Sequence, residues 1–224
     1  MLPDADIIIA CPHCQTPARV FQLISGNTFG AITWTDGWMD APMMPRVPRI
    51  TRCSHCAEYY WVNSAPMIGS GGGSVEMEGQ EREDQWPNAP HLEPLDEEGC
   101  FAALAAGLGD HLDLELELRV LTWWRGNDAF REPENEPGHS QSERAIANME
   151  RVIAITENGD EDLLLFRAEA QRHLGKFDDA IETLKGVGCS DYWPAKSRQL
   201  ELIEAQSREL SVLYSPDRPP AEFA

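Results

Sequence analysis

The chain has 224 residues, 42% of them hydrophobic, enough apolar surface for one sizeable buried core and room for a second. Its 18 Lys+Arg stand against 38 Asp+Glu, a formal net charge of −20, so a polyanion is repelled rather than recruited by counterion release and nucleic acid is excluded as a partner. No long apolar run is present, and Met1-Leu2-Pro3-Asp4-Ala5-Asp6 lacks the basic and apolar stretches of a secretory signal, so the expectation is a cytoplasmic protein with reduced thiols and no membrane partner.

From the N-terminus, Ile7-Ile8-Ile9, Val20-Phe21-Gln22-Leu23-Ile24, Ile32-Thr33-Trp34-Thr35 and Tyr59-Tyr60-Trp61-Val62 are rich in β-branched and aromatic residues and predict short strands. Asp36-Gly37, between Trp34 and Trp38, predicts a hairpin with a type I′ tip, a turn with positive φ at both central positions. Two cysteine pairs follow strand ends: Cys11-Pro12-His13-Cys14 and Cys53-Ser54-His55-Cys56. Each C-x-x-C puts two sulfurs on one tight turn, and two pairs together make a four-thiolate metal site. Four thiolates at about 2.3 Å complete the tetrahedron of Zn²⁺ and leave no position for water or substrate, so the site reads as structural. Iron in a rubredoxin-like centre is the less favoured alternative, because a tetrahedron of sulfurs suits it too.

His13 and His55 read as residues at the knuckle tips, outside the ligand set. The residues after the pairs are Gln15 and Ala57, where glycine would tolerate a positive φ. Arg46, Arg49 and Arg52 offset the net negative charge of four thiolates around a divalent ion. Cys100 and Cys189 lie far from the pairs and read as inert thiols. Residues 1–62 are therefore expected to form a small β domain of the zinc-ribbon type, with Trp34, Trp38, Tyr59, Tyr60 and Trp61 packing its sheet.

Residues 63–95 combine Gly69-Ser70-Gly71-Gly72-Gly73-Ser74 with an acidic run from Glu76 to Asp84 and with Pro87, Pro90 and Pro94, and predict a flexible linker without structure. Residues 96–224 predict helices: one capped by Asp96, one from His111 to Trp124 despite the alternation of Leu112, Leu114, Leu116 and Leu118, then Ser140 to Thr156, Glu161 to Leu174, Asp178 to Lys185, and a last one from Asp191 or Pro194 to Leu213. Trp123, Trp124 and Arg125 close the second of these. Adjacent helical residues diverge by about 100°, so at least one tryptophan is expected in the core, and an exposed one with Arg125 is the candidate anchor for a protein partner.

Leu164, Ala168, Leu174-Gly175, Phe177, Ala180 and Leu184 resemble the tetratricopeptide pattern, in which a Gly turns between two helices and small residues sit where they touch. The chain as a whole resembles a group of bacterial proteins of uncharacterised activity that pair an N-terminal zinc ribbon with such helices, in which the hairpin Trp34-Thr35-Asp36-Gly37 and the stretch Trp123-Trp124-Arg125-Gly126-Asn127-Asp128 recur. That resemblance implies an α+β multidomain protein, a zinc ribbon followed by an all-α tetratricopeptide-like domain, and no established activity. No G-x-S-x-G, H-E-x-x-H, P-loop or G-x-G-x-x-G is present, so no catalytic residue is assigned. Asp110-His111 and the Glu169/His173 pair read as incidental neighbours. The leading function is a non-enzymatic, zinc-binding adaptor or scaffold. The alternative is a zinc-stabilised enzyme with its site at the junction of the ribbon and the helical domain, in a pocket near Trp123, Arg125, Asn127 and Asp128.

Overall fold

The computed structural model describes residues 1–71, 84–132, 134–188 and 192–216. Two compact units emerge, one from Met1–Phe29 with Ala41–Leu108, the other from Gly30–Asp40 with Gly109–Ala224. The tryptophan hairpin thus groups with the helices, not with the strands on either side of it in sequence.

The first unit contains β1 (Leu2–Pro3), β2 (Ile7–Ala10), β3 (Pro17–Val20) and β4 (Leu23–Ser25). The second unit takes β5 (Ile32–Trp34) and β6 (Met39–Asp40), after which the first resumes with β7 (Ile50–Arg52), β8 (Tyr59–Trp61), β9 (Met67–Ser70) and helix α1 (Glu97–Ala105). The apolar strand β2 is central, antiparallel to β3 on one side and to β9 on the other, while β7 and β8 pair as a separate ribbon. Ile9, Val20 and Tyr60 pack with Cys11 and Cys53 into one core, so the metal-ligand candidates are also core residues.

Residues 63–95, expected to carry no structure, contain β9 and a second ordered run from Asp84 onward; the acidic residues before Asp84 lie outside the described residues. The order comes from partners remote in sequence. Arg19 is 8% exposed, and its guanidinium donates to the carbonyls of Ala89 (3.1 Å) and Trp86 (2.5 Å) and to the Asp84 carboxylate. The backbone of Arg19 meanwhile bonds Pro90 and Leu92, extending the sheet beyond β3. The Trp86 ring occupies the space that a Cβ at Gly69 would need, which is why the strand has glycine instead of an apolar alternation. A buried guanidinium must find acceptors, and that requirement leaves no periodic trace in the segment that supplies them.

The second unit adds α2 (Leu112–Asn127), α3 (Glu143–Ile155), α4 (Glu161–His173), α5 (Phe177–Leu184), α6 (Trp193–Glu204) and β10 (Val212–Tyr214). Ser142 and Asp160 cap α3 and α4 by accepting from Ala145 and Leu163 N–H. Glu115 joins α2 to α3: its carboxylate takes hydrogen bonds from Arg151 and Arg119, which hold its pKa at about 2. Gly175, at φ 75°, ends α4 with the paired bonds Gly175 to Arg172 and Lys176 to Gln171, and turns the chain into α5. Ala168 and Ala180 are fully buried in the core shared by α4, α5 and α6. Trp123, Met149 and Ala170 form a second core across α2, α3 and α4.

Two local expectations change. The last helix, expected to reach Leu213, stops at Glu204, where Gln206 turns left-handed at φ 51° and Ser207 N–H bonds the Leu202 carbonyl. Residues 212–214 then pair with β5 as β10, a partner that no local pattern announces. The hairpin tip has positive φ only at Gly37 (82°), not at both central residues, and Gly37 N–H bonds the Trp34 carbonyl, so the loop is a three-residue turn closed by a glycine bulge. Cys189 and Asp191 lie outside the described residues.

A Cβ at Gly37 would sit 2.9 Å from Phe166 Cε1 as well as demanding a left-handed backbone. Gly37→Ala is therefore expected to destabilise the helical unit by about 1–3 kcal/mol, read as a lowered urea midpoint of the helical circular dichroism. An unchanged midpoint would show that the tip is not held against α4.

Candidate metal centre and the hairpin lock

Cys11 follows β2 and Cys53 follows β7, so two strand ends carry the two knuckles. In the first, Gln15 N–H bonds the Cys11 carbonyl and Cys11 N–H bonds the Thr16 carbonyl; in the second, Ala57 and Cys53 N–H bond the Cys53 and Glu58 carbonyls in the same way. Gln15 (φ 62°) and Ala57 (φ 64°) both adopt the left-handed conformation anticipated for a glycine there. Each pays on the order of 1 kcal/mol for its Cβ. Side chains brace both turns, Gln15 Nε2 donating to the Cys11 carbonyl at 3.3 Å and Arg52 Nε to the Ala57 carbonyl at 3.0 Å.

The four sulfurs of Cys11, Cys14, Cys53 and Cys56 lie within 4.8 Å of one another. Across the knuckles, Cys11 Sγ is 3.8 Å from Cys56 Sγ and Cys14 Sγ is 3.6 Å from Cys53 Sγ. Disulfide sulfurs stand about 2.05 Å apart. Four sulfurs around one ion at about 2.3 Å have tetrahedron edges of about 3.8 Å, so the spacing fits a shared metal. The Thr16 hydroxyl and amide pull the Cys14 thiol down to about 5. For Cys56 the Glu58 amide pulls down, but burial and the neighbouring sulfurs outweigh it and push the thiol up to about 12. Four negative charges do not coexist at this spacing without a cation; a bound metal would supply that charge and hold the two knuckles together, with these four cysteines as its ligands. His13 and His55 are exposed and stand outside the group.

The second assembly was not anticipated as a unit. Asp36, at the hairpin tip, is fully buried; its carboxylate accepts from Asn127 Nδ2 and Trp38 N–H, each at 3.0 Å, and from the Arg131 guanidinium. Arg131 also donates to the Trp124 carbonyl (2.7 Å) and Asp128 (2.8 Å), and Trp124 Nε1 donates to the Asp36 carbonyl (2.8 Å). Trp38 lies edge-on to Trp124 at 5.5 Å, with the guanidinium groups of Arg125 and Arg131 5.0 and 5.3 Å from its ring centre. Burial disfavours both charges, raising the Asp36 pKa and lowering that of Arg131 against their mutual attraction.

Of the three residues singled out as partner anchors, Trp123 is in the core at 3% exposure, and Trp124 and Arg125 grip the chain's own hairpin. Asn127, offered as part of an enzymatic pocket, is fully buried; it donates to Asp36 and accepts from Ser140 N–H. Arg125 pairs with Asp128 at 3.0 Å. The hairpin and the Trp-Trp-x-x-Asn-Asp stretch, separate motifs in the sequence, are two halves of one lock.

Behind the lock lies a polar interior that residue spacing had passed over. Glu169, Arg172 and His173 are all fully buried on α4. Arg172 bonds the Glu169 carboxylate and the carbonyls of Ser207 and Glu209, holding the strand that follows α6. His173 Nε2 lies 3.3 Å from Glu169 Oε1, and its ring lies 4.7 Å from that of His139, tilted by 31°. The available signal was the i, i+3, i+4 placement of Glu169, Arg172 and His173 on the same helical face as buried Ala168 and Ala170. Asp110 and His111, by contrast, are exposed. No protein-family model, curated protein or solved structure matches the chain.

One divalent metal per chain is expected by elemental analysis, with Cys11→Ser losing most of it; stoichiometric metal in that variant would defeat the ligand assignment. A second expectation concerns acid. Burial, then His173 and the guanidinium groups of Arg208 and Arg172, push His139 down to about 3. The unfolded chain takes up a proton near the ordinary value of about 6.5 that the folded chain refuses until about 3, so this contribution is present near neutrality and lost as pH falls through that window. The helical unit should lose on the order of 1–3 kcal/mol by about pH 4.5, and His139→Phe should flatten the fall in melting temperature. An identical pH slope in the variant would remove His139 from the account.

Proposed function

We propose that this chain is a non-enzymatic, zinc-stabilised adaptor or scaffold of the reducing cytoplasm, with a zinc-ribbon-like first unit and tetratricopeptide-like helical hairpins in the second. The observation that carries the reading is the convergence of four cysteine sulfurs at the edge spacing of a tetrahedron, a set that leaves Zn²⁺ no open position for substrate. Reduced thiols of this kind persist in a reducing compartment. The tetratricopeptide-like reading is supported by Gly175 turning α4 into α5 and by the fully buried Ala168 and Ala180 on those helices.

The proposed partner is another protein. A net charge of −20 opposes nucleic acid, and among the described residues no helix is long and apolar enough to cross a membrane. Trp124 and Arg125 would meet such a partner only through, or in place of, the hairpin they hold.

X-ray absorption at the zinc edge tests the closed site: four sulfur neighbours at about 2.3 Å are expected. A shell with an oxygen or nitrogen in one position would favour the enzymatic alternative. For the adaptor role, the tagged full-length chain purified from its host should carry a protein partner in stoichiometric amount, and recovery of the chain alone would count against it.

A further inference from the structure

The four-cysteine centre and the hairpin lock belong to different units but to one stretch of chain. Cys14 and Cys53 are 39 positions apart, and Gly30–Asp40 lies between them. A metal that joins the two knuckles closes the loop in which the hairpin is the middle. The chain leaves the first unit after the exposed Phe29 and returns to it at the buried Ala41, so the hairpin is an excursion from the unit whose core contains Cys11 and Cys53.

We propose that metal occupancy of the four-cysteine centre and seating of the hairpin formed by residues 30–40 on α2 and α4 are thermodynamically linked, so that the metal site controls the state of the helical unit. The reading rests on the metal centre proposed above, but not on the adaptor role.

The coupling is carried by the chain. With the knuckles joined, the hairpin lies in a loop whose two ends are already held together, and seating it costs less chain entropy. With the knuckles apart, the flanks are longer flexible tethers, and the effective concentration of the hairpin for its seat falls. What is at stake at the seat is large. Removing the hairpin leaves Arg131 without its Asp36 partner, Asn127 Nδ2 without its acceptor and Trp124 Nε1 without the Asp36 carbonyl. It also strips β5 from β10. A buried pair of this kind is costly to break from one side, so the helices answer to the hairpin. Linkage is reciprocal: whatever factor the metal adds to hairpin seating, the seated hairpin adds to metal affinity.

That reciprocity gives the test. In the full-length chain, zinc affinity is measured by competition with a chromophoric chelator, and amide exchange across residues 32–40 and 120–131 is measured with zinc and after chelation. Zinc stoichiometry is established first, so that absence of metal, which would overturn this inference together with the metal reading, is distinguished from absence of coupling. Chelation is expected to speed exchange at both segments at least tenfold, and Asp36→Asn, a change made away from every sulfur ligand, to weaken zinc binding at least threefold. Trp38→Phe, a milder change at the same lock, should weaken it in the same direction if Asp36→Asn does not fold. Unchanged exchange after chelation, or wild-type zinc affinity in a folded lock variant, would overturn the linkage while leaving the adaptor role intact.

Discussion

A carboxylate taken entirely out of water has to be met by donors, and Asp36 is where that constraint organises the helical unit. Its acceptors are filled by Asn127, Arg131 and the Trp38 amide. Each donor is itself fixed by another role: Asn127 receives Ser140 N–H, Arg131 reaches the Trp124 carbonyl, and Trp38 sits among Trp124, Arg125 and Arg131. Desolvating these groups costs several kcal/mol that apolar packing would not. The return is specificity: the tip of one hairpin fits one place on α2, and a slip in register would leave a buried charge unpaired.

The same logic recurs on α4 and in the first unit. Glu169 neutralises Arg172, which in turn caps the carbonyls of Ser207 and Glu209 and so aims the segment that becomes β10. Arg19 gathers Asp84, Trp86 and Ala89 to the edge of the small sheet. In each case a buried arginine holds an irregular stretch of backbone that has no hydrophobic pattern of its own. The planar guanidinium suits this work, because its five N–H groups satisfy several carbonyls and a carboxylate at once.

The metal centre solves the opposite problem. Its strands are two to four residues long, too short to define a core by packing alone. Four converging sulfurs could bind one metal ion, whose charge would offset four thiolates and whose binding would add folding energy that such short strands lack. The left-handed Gln15 and Ala57 are strain within the knuckle turns, braced by the hydrogen bonds from Gln15 Nε2 and Arg52 Nε.

The sequence by itself determined the parts whose cause is local. Paired C-x-x-C turns fix where sulfurs point, the acidic start at Asp160 and the stop at Gly175 fix where α4 begins and ends, and the 3.6-residue period beyond Leu118 made α2 a helix although its leucines alternate; α3, expected from Ser140, is instead capped by Ser142. It also raised the hairpin and the Trp-Trp-x-x-Asn-Asp stretch as features without saying what joined them. Only the tertiary structure decided that they meet, that Gly30–Asp40 leaves its sequence neighbours for the helices, that residues 67–70 pair with β2, and that the chain after α6 turns back as a strand. Those outcomes rest on hydrogen bonds between groups far apart in the chain, Thr35 to Ser211 at a separation of 176 among them. A period or a cap is written in adjacent residues, whereas the partner of a buried charge is chosen by the folded chain as a whole.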